Sequence, residues 1–280
     1  MIGVLGGLGA AVCWAVATLC ASRASREIGA LPTLAWIMVL GLVLTAPAVA
    51  LAGGGGLDGT AIAWLAVSGA GNVGGLLVQY FALRRGKVGV VAPIVSVEGA
   101  IAAVLAAIGG EALGVPSAVC LAVIVAGIVL VAAQGRGAED GPSRSGAVPL
   151  SAVGAMLFGV SLYALGQVGE DVAIAWALLP ARLLGTVLIA APLAAGRRLA
   201  LSGRMAPYVA VAALAEVVGF LSYTVGARDQ VGIAAVLGSQ FAALAAVGGF
   251  LFFGERLRRH QIAGLVVLML AVGSLAALQA

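Results

Sequence analysis

The chain has 280 residues, of which 62% are hydrophobic, 42 are glycine and only 9% are charged. A typical soluble domain carries roughly 25% charged residues, and a disordered chain is polar and charge-rich, so both classes are excluded. A mean hydropathy of +1.17 leaves a multi-span membrane protein, in which the placement of the charges says more than the net +4.

A 20-residue helix rises about 30 Å, the thickness of the hydrocarbon core. Apolar runs of that length fall at 2–22, 31–52, 59–81, 88–109, 113–133, 148–169, 172–195, 206–227, 230–253 and 260–279. The expectation is an all-α integral membrane protein with ten transmembrane helices. The breaks hold turn formers: Gly53 to Gly56 with Asp58, Gly86, Gly110 with Gly114, and the region of Gly169. A β-barrel would show alternating strands of ~10 residues, a pattern the sequence lacks. The first 22 residues contain no Lys or Arg, so they are expected to be a retained first span rather than a secretory leader. Cys13, Cys20 and Cys120 lie inside apolar runs and have neither disulfide nor zinc-ligand spacing.

The basic residues sort by side. Arg23 and Arg26 follow span 1, and Arg84, Arg85 and Lys87 follow span 3. Arg136 and Arg144 follow span 5, Arg197, Arg198 and Arg204 follow span 7, and Arg256, Arg258 and Arg259 follow span 9. Those thirteen are all in odd-numbered links; of the other two, Arg228 is in an even link and Arg182 lies within span 7. The positive-inside rule therefore puts the odd links in the cytoplasm and both termini outside. The turn at Glu255 and Arg256, with Arg258, Arg259 and His260, reads as an orientation signal and helix cap.

The most polar stretch, Gln134 to Gly146, sits at the midpoint and reads as a linker. Sequence on either side repeats at an offset of about 144. Ala-Val-Cys-Trp at 11–14 matches Ala-Met-Leu-Phe at 155–158, and Ala46-Pro47 matches Ala191-Pro192 with one slip. Asn72, Gly75, Leu77 and Arg84 match Glu216, Gly219, Leu221 and Arg228, and Gly110-Glu111 matches Gly254-Glu255. The expected units are a five-helix repeat at 1–134, a cytoplasmic linker at 135–147 and a second five-helix repeat at 148–280. Five spans per copy is an odd number, so the second copy lies inverted. Inverted repeats are the mark of secondary transporters, whose two copies exchange conformations.

Each copy carries a Gly-Glu turn before its last helix. The second reads Gly254-Glu255-Arg256-Leu257, followed by Gln261, Gly264 and Gly273. The first reads Gly110-Glu111-Ala112-Leu113, followed by Gly127. With Val91-Ala92-Pro93-Ile94 and Ser96 at the start of span 4, the chain resembles the drug/metabolite transporter superfamily in its EamA-like branch. The resemblance implies a central cavity formed mainly by spans 1, 3, 4, 6, 8 and 9. It also implies movement of small metabolites or drugs, usually driven by an ion gradient. Glu98-Gly99 stand where the family commonly has a mid-span proline. Arg182 has Ile37 near its matching place in the first copy, and substrate class stays open.

Three ionisable residues fall in mid-span: Glu98, Arg182 and Glu216. Each charge at the bilayer centre costs roughly 2.5–3.5 kcal/mol on insertion scales. Arginine cannot shed its proton, so one glutamate is expected to neutralise it. Glu216 is the expected partner, in an intramembrane ion pair with Arg182. The remaining acid is left without a cation, and desolvation favours its neutral form. Glu98 and Glu216 are therefore the proton-coupling candidates, with Glu98 nearer the solute.

Neutral polar and aromatic residues complete the expected substrate site. Asn72 and Gln79 are two helical turns apart on one face of span 3, as their repeat mates Glu216 and Tyr223 are in span 8. Tyr163 and Gln167 are spaced i, i+4 in span 6, Ser239 and Gln240 sit in mid-span 9, and Trp14 and Phe158 are mates in spans 1 and 6. Gly3 with Gly7 and Gly71 with Gly75 have the four-residue spacing that lets helices approach closely.

The sequence thus points to a secondary transporter of a small organic solute, working by alternating access, an exporter in preference to an importer, with protons as coupling ion. It needs no cofactor, metal or nucleic acid, and would work as a monomer or homodimer. The Ala/Gly/Val-rich composition suggests a bacterial inner membrane. The alternatives are a channel or structural subunit, which would want pore-lining rings, and an intramembrane enzyme. No catalytic constellation supports the enzyme: the one histidine, His260, lies in a link, and no aspartate lies within a span. No phosphate-binding Gly-Lys-Ser/Thr motif occurs either.

Overall fold

The computed structural model describes residues 2–109, 115–116, 119–120, 122–123, 126–127, 146–168, 171–238, 240–255 and 259–279. Among these all regular secondary structure is helical. The expected fifth span and the linker lie largely outside the described residues, as do Glu111, Ser239, Arg136, Arg144, Arg256 and Arg258.

Helix α1 (Ile2–Glu27) turns at Gly29, whose φ of 98° a side chain would resist, into α2 (Ala30–Ala52). Helix α3 (Gly59–Arg85) starts from Asp58, whose carboxylate accepts the Ala61 N–H at 2.6 Å. There follow α4 (Val88–Val95), α5 (Glu98–Ile108) and α6 (Ala147–Gly166). Helix α7 (Ala175–Gly185) passes through a π-helical turn, Thr186–Ala190, into α8 (Ala191–Ala195). Helices α9 (Ala206–Gly238), α10 (Phe241–Phe253) and α11 (Arg259–Gln279) complete the chain. Among the described residues six runs are long and apolar enough to cross a membrane: Val4–Glu27, Ala30–Ala52, Gly59–Arg85, Ala147–Leu165, Ala175–Ala195 and Ala206–Gly226. Shorter apolar runs lie at Val88–Ala102, Phe241–Phe253 and Ile262–Ala271. Large apolar side chains such as Val43, Leu51, Ile62, Phe250 and Phe252 point outward, the surface a bilayer requires.

One expected boundary is corrected, and one span is interrupted within its expected bounds. Span 4 is not one helix: the chain breaks at Ser96–Val97, between α4 and α5. Pro93 supplies no N–H to the carbonyl a turn back. The Ser96 hydroxyl donates to the Pro93 carbonyl at 2.9 Å, and Val97 N–H bonds the Ile94 carbonyl in a tighter turn. Conversely, the boundary between spans 8 and 9 falls not at Arg228–Asp229 but after Gly238, where α9 ends. That stretch has no proline, and its Ala and Leu residues favour the helix.

Helix α1 packs along α9 and α3 along α6; α4 meets α10 and α6, and α2 lies against α7 and α9. The core between them is rich in alanine, including Ala11, Ala15, Ala21, Ala212 and Ala242, which lets backbones approach closely. Glycines make the tightest contacts. A methyl on Gly71 would lie 2.7 Å from the Leu157 carbonyl, and one on Gly75 2.8 Å from the Phe158 ring. On α1 it is Gly6 that meets the backbone of α9, at Ser222 and Gly226. We expect Gly6→Val and Gly75→Leu each to cost about 1–3 kcal/mol by overpacking. The check is thermal unfolding in detergent, with Gly55→Ala, which has nothing within 4 Å, as the silent control.

Candidate functional site

The centre of the bundle is built round Arg182. Its side chain is 1% exposed, lying between α2, α3 and α9. Helix α7 delivers it, and Gly41 on α2 makes room for its stem: a methyl there would be 2.8 Å from Arg182 Cδ. Arg182 Nη2 donates to Glu216 Oε2 at 3.4 Å, and Nη1 reaches Met38 Sδ at 3.7 Å. Charge-assisted bonds usually close to about 2.7–2.9 Å, so this pairing is loose. Among the described residues, Arg182 Nε has no partner, and neither has Asn72 Oδ1.

Both unsatisfied groups border one small cavity, lined also by Ser68, Ser161, Ala181 and Phe220. Its volume is about 10 Å³, close to the room one water needs. The Ser161 hydroxyl donates to the Ser68 carbonyl at 2.8 Å and lies 3.2 Å from the Ser68 hydroxyl, tying α6 to α3. A space of that size does not admit an organic solute.

The other expected site residues divide between the centre and its margins. Glu98 is half-buried at the first residue of α5, where its charge is felt by Glu216 and Tyr223. Tyr223 lies 5.7 Å from Trp14, and Phe241 meets Trp14 edge-on at 6.2 Å. Gly219 and Gly238 leave space for the Trp14 ring. Gln79 is buried on α3. Gln240 is half-buried at the break between α9 and α10. Tyr163 instead meets Trp64 edge-on at 6.1 Å, and Gln167 is exposed just past the end of α6. Those two stand apart from the residues lining the cavity.

Sequence reading missed Met38, Ser68, Ser161 and Tyr80. Tyr80 is fully enclosed and shares the electrostatic environment of Glu216 and Arg182. The available signal was for Met38, which sits 144 residues before Arg182, the repeat offset itself.

A buried, loosely paired arginine against a polar cavity inside a membrane bundle suits the handling of a solute. Residues 1–133 match the model of the EamA-like transporter family. This family, part of the drug/metabolite transporter superfamily, consists of membrane transporters, not enzymes. The EamA-like stretch runs from α1 through α5, so it carries Trp14, Asn72, Gln79 and Glu98. No curated protein matches the chain. A crystal structure of a protein is similar over 99% of this chain and 97% of its own, with a TM-score of 0.60 and 19% identity. At that identity the likeness is one of fold.

Removing one member of a buried pair costs about 3–5 kcal/mol, because it strands the other charge. We expect Glu216→Gln to destabilise more than Arg182→Met, since a stranded carboxylate can take up a proton and a guanidinium cannot. The double variant should recover most of the loss. Thermal unfolding of the purified single and double variants measures this.

Proposed function

We propose that this chain is a secondary transporter that exports small organic solutes across a bacterial inner membrane by alternating access. On this reading it has ten spans in two inverted five-helix repeats, 1–134 and 148–280, joined by a cytoplasmic linker at 135–147. Odd links face the cytoplasm and both termini lie outside.

The observation that carries the reading is a set of reciprocal contacts at the repeat offset. Arg182 touches Met38, and the two are 144 residues apart; a residue that meets its own mate lies on the two-fold axis. Around it the contacts come in mated pairs. Gly41 receives Arg182, and Gly185 receives Met38. Gly75 receives the Phe158 ring, and Gly219 the Trp14 ring. In every case both partners shift by the same 144. An axis running between two copies, with a charged pair and a cavity on it, is the arrangement an inverted-repeat carrier needs at the bilayer midplane.

Proton coupling follows from the charge count at that centre. Arg182 is the cation there, and Glu98 and Glu216 are acids close enough to feel each other. One acid balances Arg182, and the other is available to carry a proton as the centre opens to one side and then the other. Trp14, Asn72, Gln79, Tyr223 and Gln240 then form the polar and aromatic lining of the opened cavity, with Tyr163 and Gln167 toward its margin.

Extracellular metabolite profiling of overexpressing against deletion cells is expected to show one solute class enriched outside the overexpressor. In proteoliposomes, Glu98→Gln and Glu216→Gln should retain solute-for-solute exchange, while proton-gradient-driven accumulation falls to the level of vesicles without a gradient. Unchanged accumulation in both variants rejects the coupling. Cysteines replacing Gly55 and Gly203 should react with an impermeant maleimide from opposite sides of the membrane.

A further inference from the structure

Away from the centre, one end of the bundle holds a second buried charge. Glu255 follows the end of α10, where Gly254 takes a left-handed φ of 63° and turns the chain back. Its side chain is only 7% exposed. Oε1 accepts the Val88 N–H at 3.0 Å, and Oε2 accepts the Gly89 N–H at 3.2 Å. The carboxylate thus satisfies two of the free N–H groups that start α4, with the favourable end of the helix dipole behind them. Gly249 leaves space for it: a methyl there would be 2.8 Å from Glu255 Oε2.

Arg26, at the end of α1, closes the arrangement. Its Nη2 bonds Glu255 Oε1 at 3.1 Å and the Gly86 carbonyl at 2.8 Å, and its Nε bonds the Leu83 carbonyl at 3.0 Å. Its guanidinium also covers the Phe253 ring at 5.3 Å. The base serves the carbonyls that finish α3, and the acid serves the N–H groups that begin α4. An ion pair from α1 and α10 therefore grips the α3–α4 turn from both sides.

We propose that Arg26 and Glu255 form a clasp that holds one end of the transporter shut, and that this clasp must release for the inward-open state. The proposal rests on the alternating-access reading above and names its gate. Helix α1 packs along α9 and α3 along α6, while α4 packs on both α6 and α10, and the clasp ties the ends of α1 and α10 to the α3–α4 turn. It lies among the odd links, the side the basic residues assign to the cytoplasm. The repeat offset pairs Glu255 with Glu111 and Arg26 with Glu170. The sequence thus has two acids at the mated positions where the clasp has an acid and a base, and α9 continues unbroken through the place mated to the α3–α4 turn. The clasp is a one-ended device.

The test needs neither a substrate nor transport. Ser22 is fully buried on α1, one turn inside Arg26. With Cys13, Cys20 and Cys120 replaced by alanine, Ser22→Cys reports opening through its rate of labelling by an impermeant maleimide in inside-out vesicles. Arg26→Ala and Glu255→Gln should each raise that rate, by about tenfold if one charge-assisted bond is lost. The exchange Arg26→Glu with Glu255→Arg should not restore protection, because arginine cannot accept from the α4 N–H groups. Glu255→Asp keeps the charge and falls short of both N–H groups, so it should also open the end, and it serves should Glu255→Gln fail to assemble. Labelling at the parent rate in Arg26→Ala and in either Glu255 variant overturns the clasp. So does full protection in the charge exchange, which would make this an ordinary ion pair. Either result leaves metabolite export by the parent untouched, so the gate can fail while the transport reading stands.

Discussion

A guanidinium that cannot lose its charge, enclosed at the centre of an apolar bundle, is the constraint round which this molecule is arranged. Arg182 must have an anion, room for its stem and walls that exclude lipid. Glu216 supplies the first at 3.4 Å, Gly41 the second, and α2, α3 and α9 the third. The pairing is loose, and Nε and the nearby Asn72 Oδ1 go unsatisfied. A purely structural ion pair would be expected to close up, since each unsatisfied buried polar group costs about 1–3 kcal/mol.

Close backbone approach is what brings the arginine to that position. Alanine and glycine line the helix contacts, and there is little hydrophobic drive between helices in lipid to replace the lost packing if larger residues intervene. The same small residues occur in mated positions, Gly41 with Gly185 and Gly75 with Gly219. On the inverted-repeat reading they define two equivalent grooves either side of one axis. On the same reading the two halves differ: one has Met38 where the other has Arg182, and one has Asn72 where the other has Glu216. Arg182 and Glu216 thus both lie in the second half and Glu98 in the first.

The two charged constellations sit at different depths and use different physics. At the centre, a buried guanidinium pairs with Glu216 at 3.4 Å beside a cavity of about 10 Å³. At the end, Glu255 is held by two backbone N–H groups and by Arg26 together, a geometry that depends on the helix start as much as on the opposite charge. The EamA-like stretch of residues 1–133 supplies α4 and Arg26 to that grip, and the second half supplies Glu255.

Much of this was legible from the residues alone. Membrane class, helical content and the ionisable trio Glu98, Arg182 and Glu216 follow from length, hydropathy and the high cost of charge in lipid, which single out such residues wherever they fall. The break at Ser96–Val97 and the continuity of α9 were not legible, since helix ends depend on where backbone hydrogen bonds find partners. Met38, Ser68 and Ser161 carry no local mark, and Tyr163 with Gln167 looked like a cavity pair only by spacing. Composition and periodicity determined the solvent and the kind of element. Which side chains meet was decided by tertiary structure, because contacts between residues over a hundred positions apart depend on how closely glycine and alanine let separate helices approach.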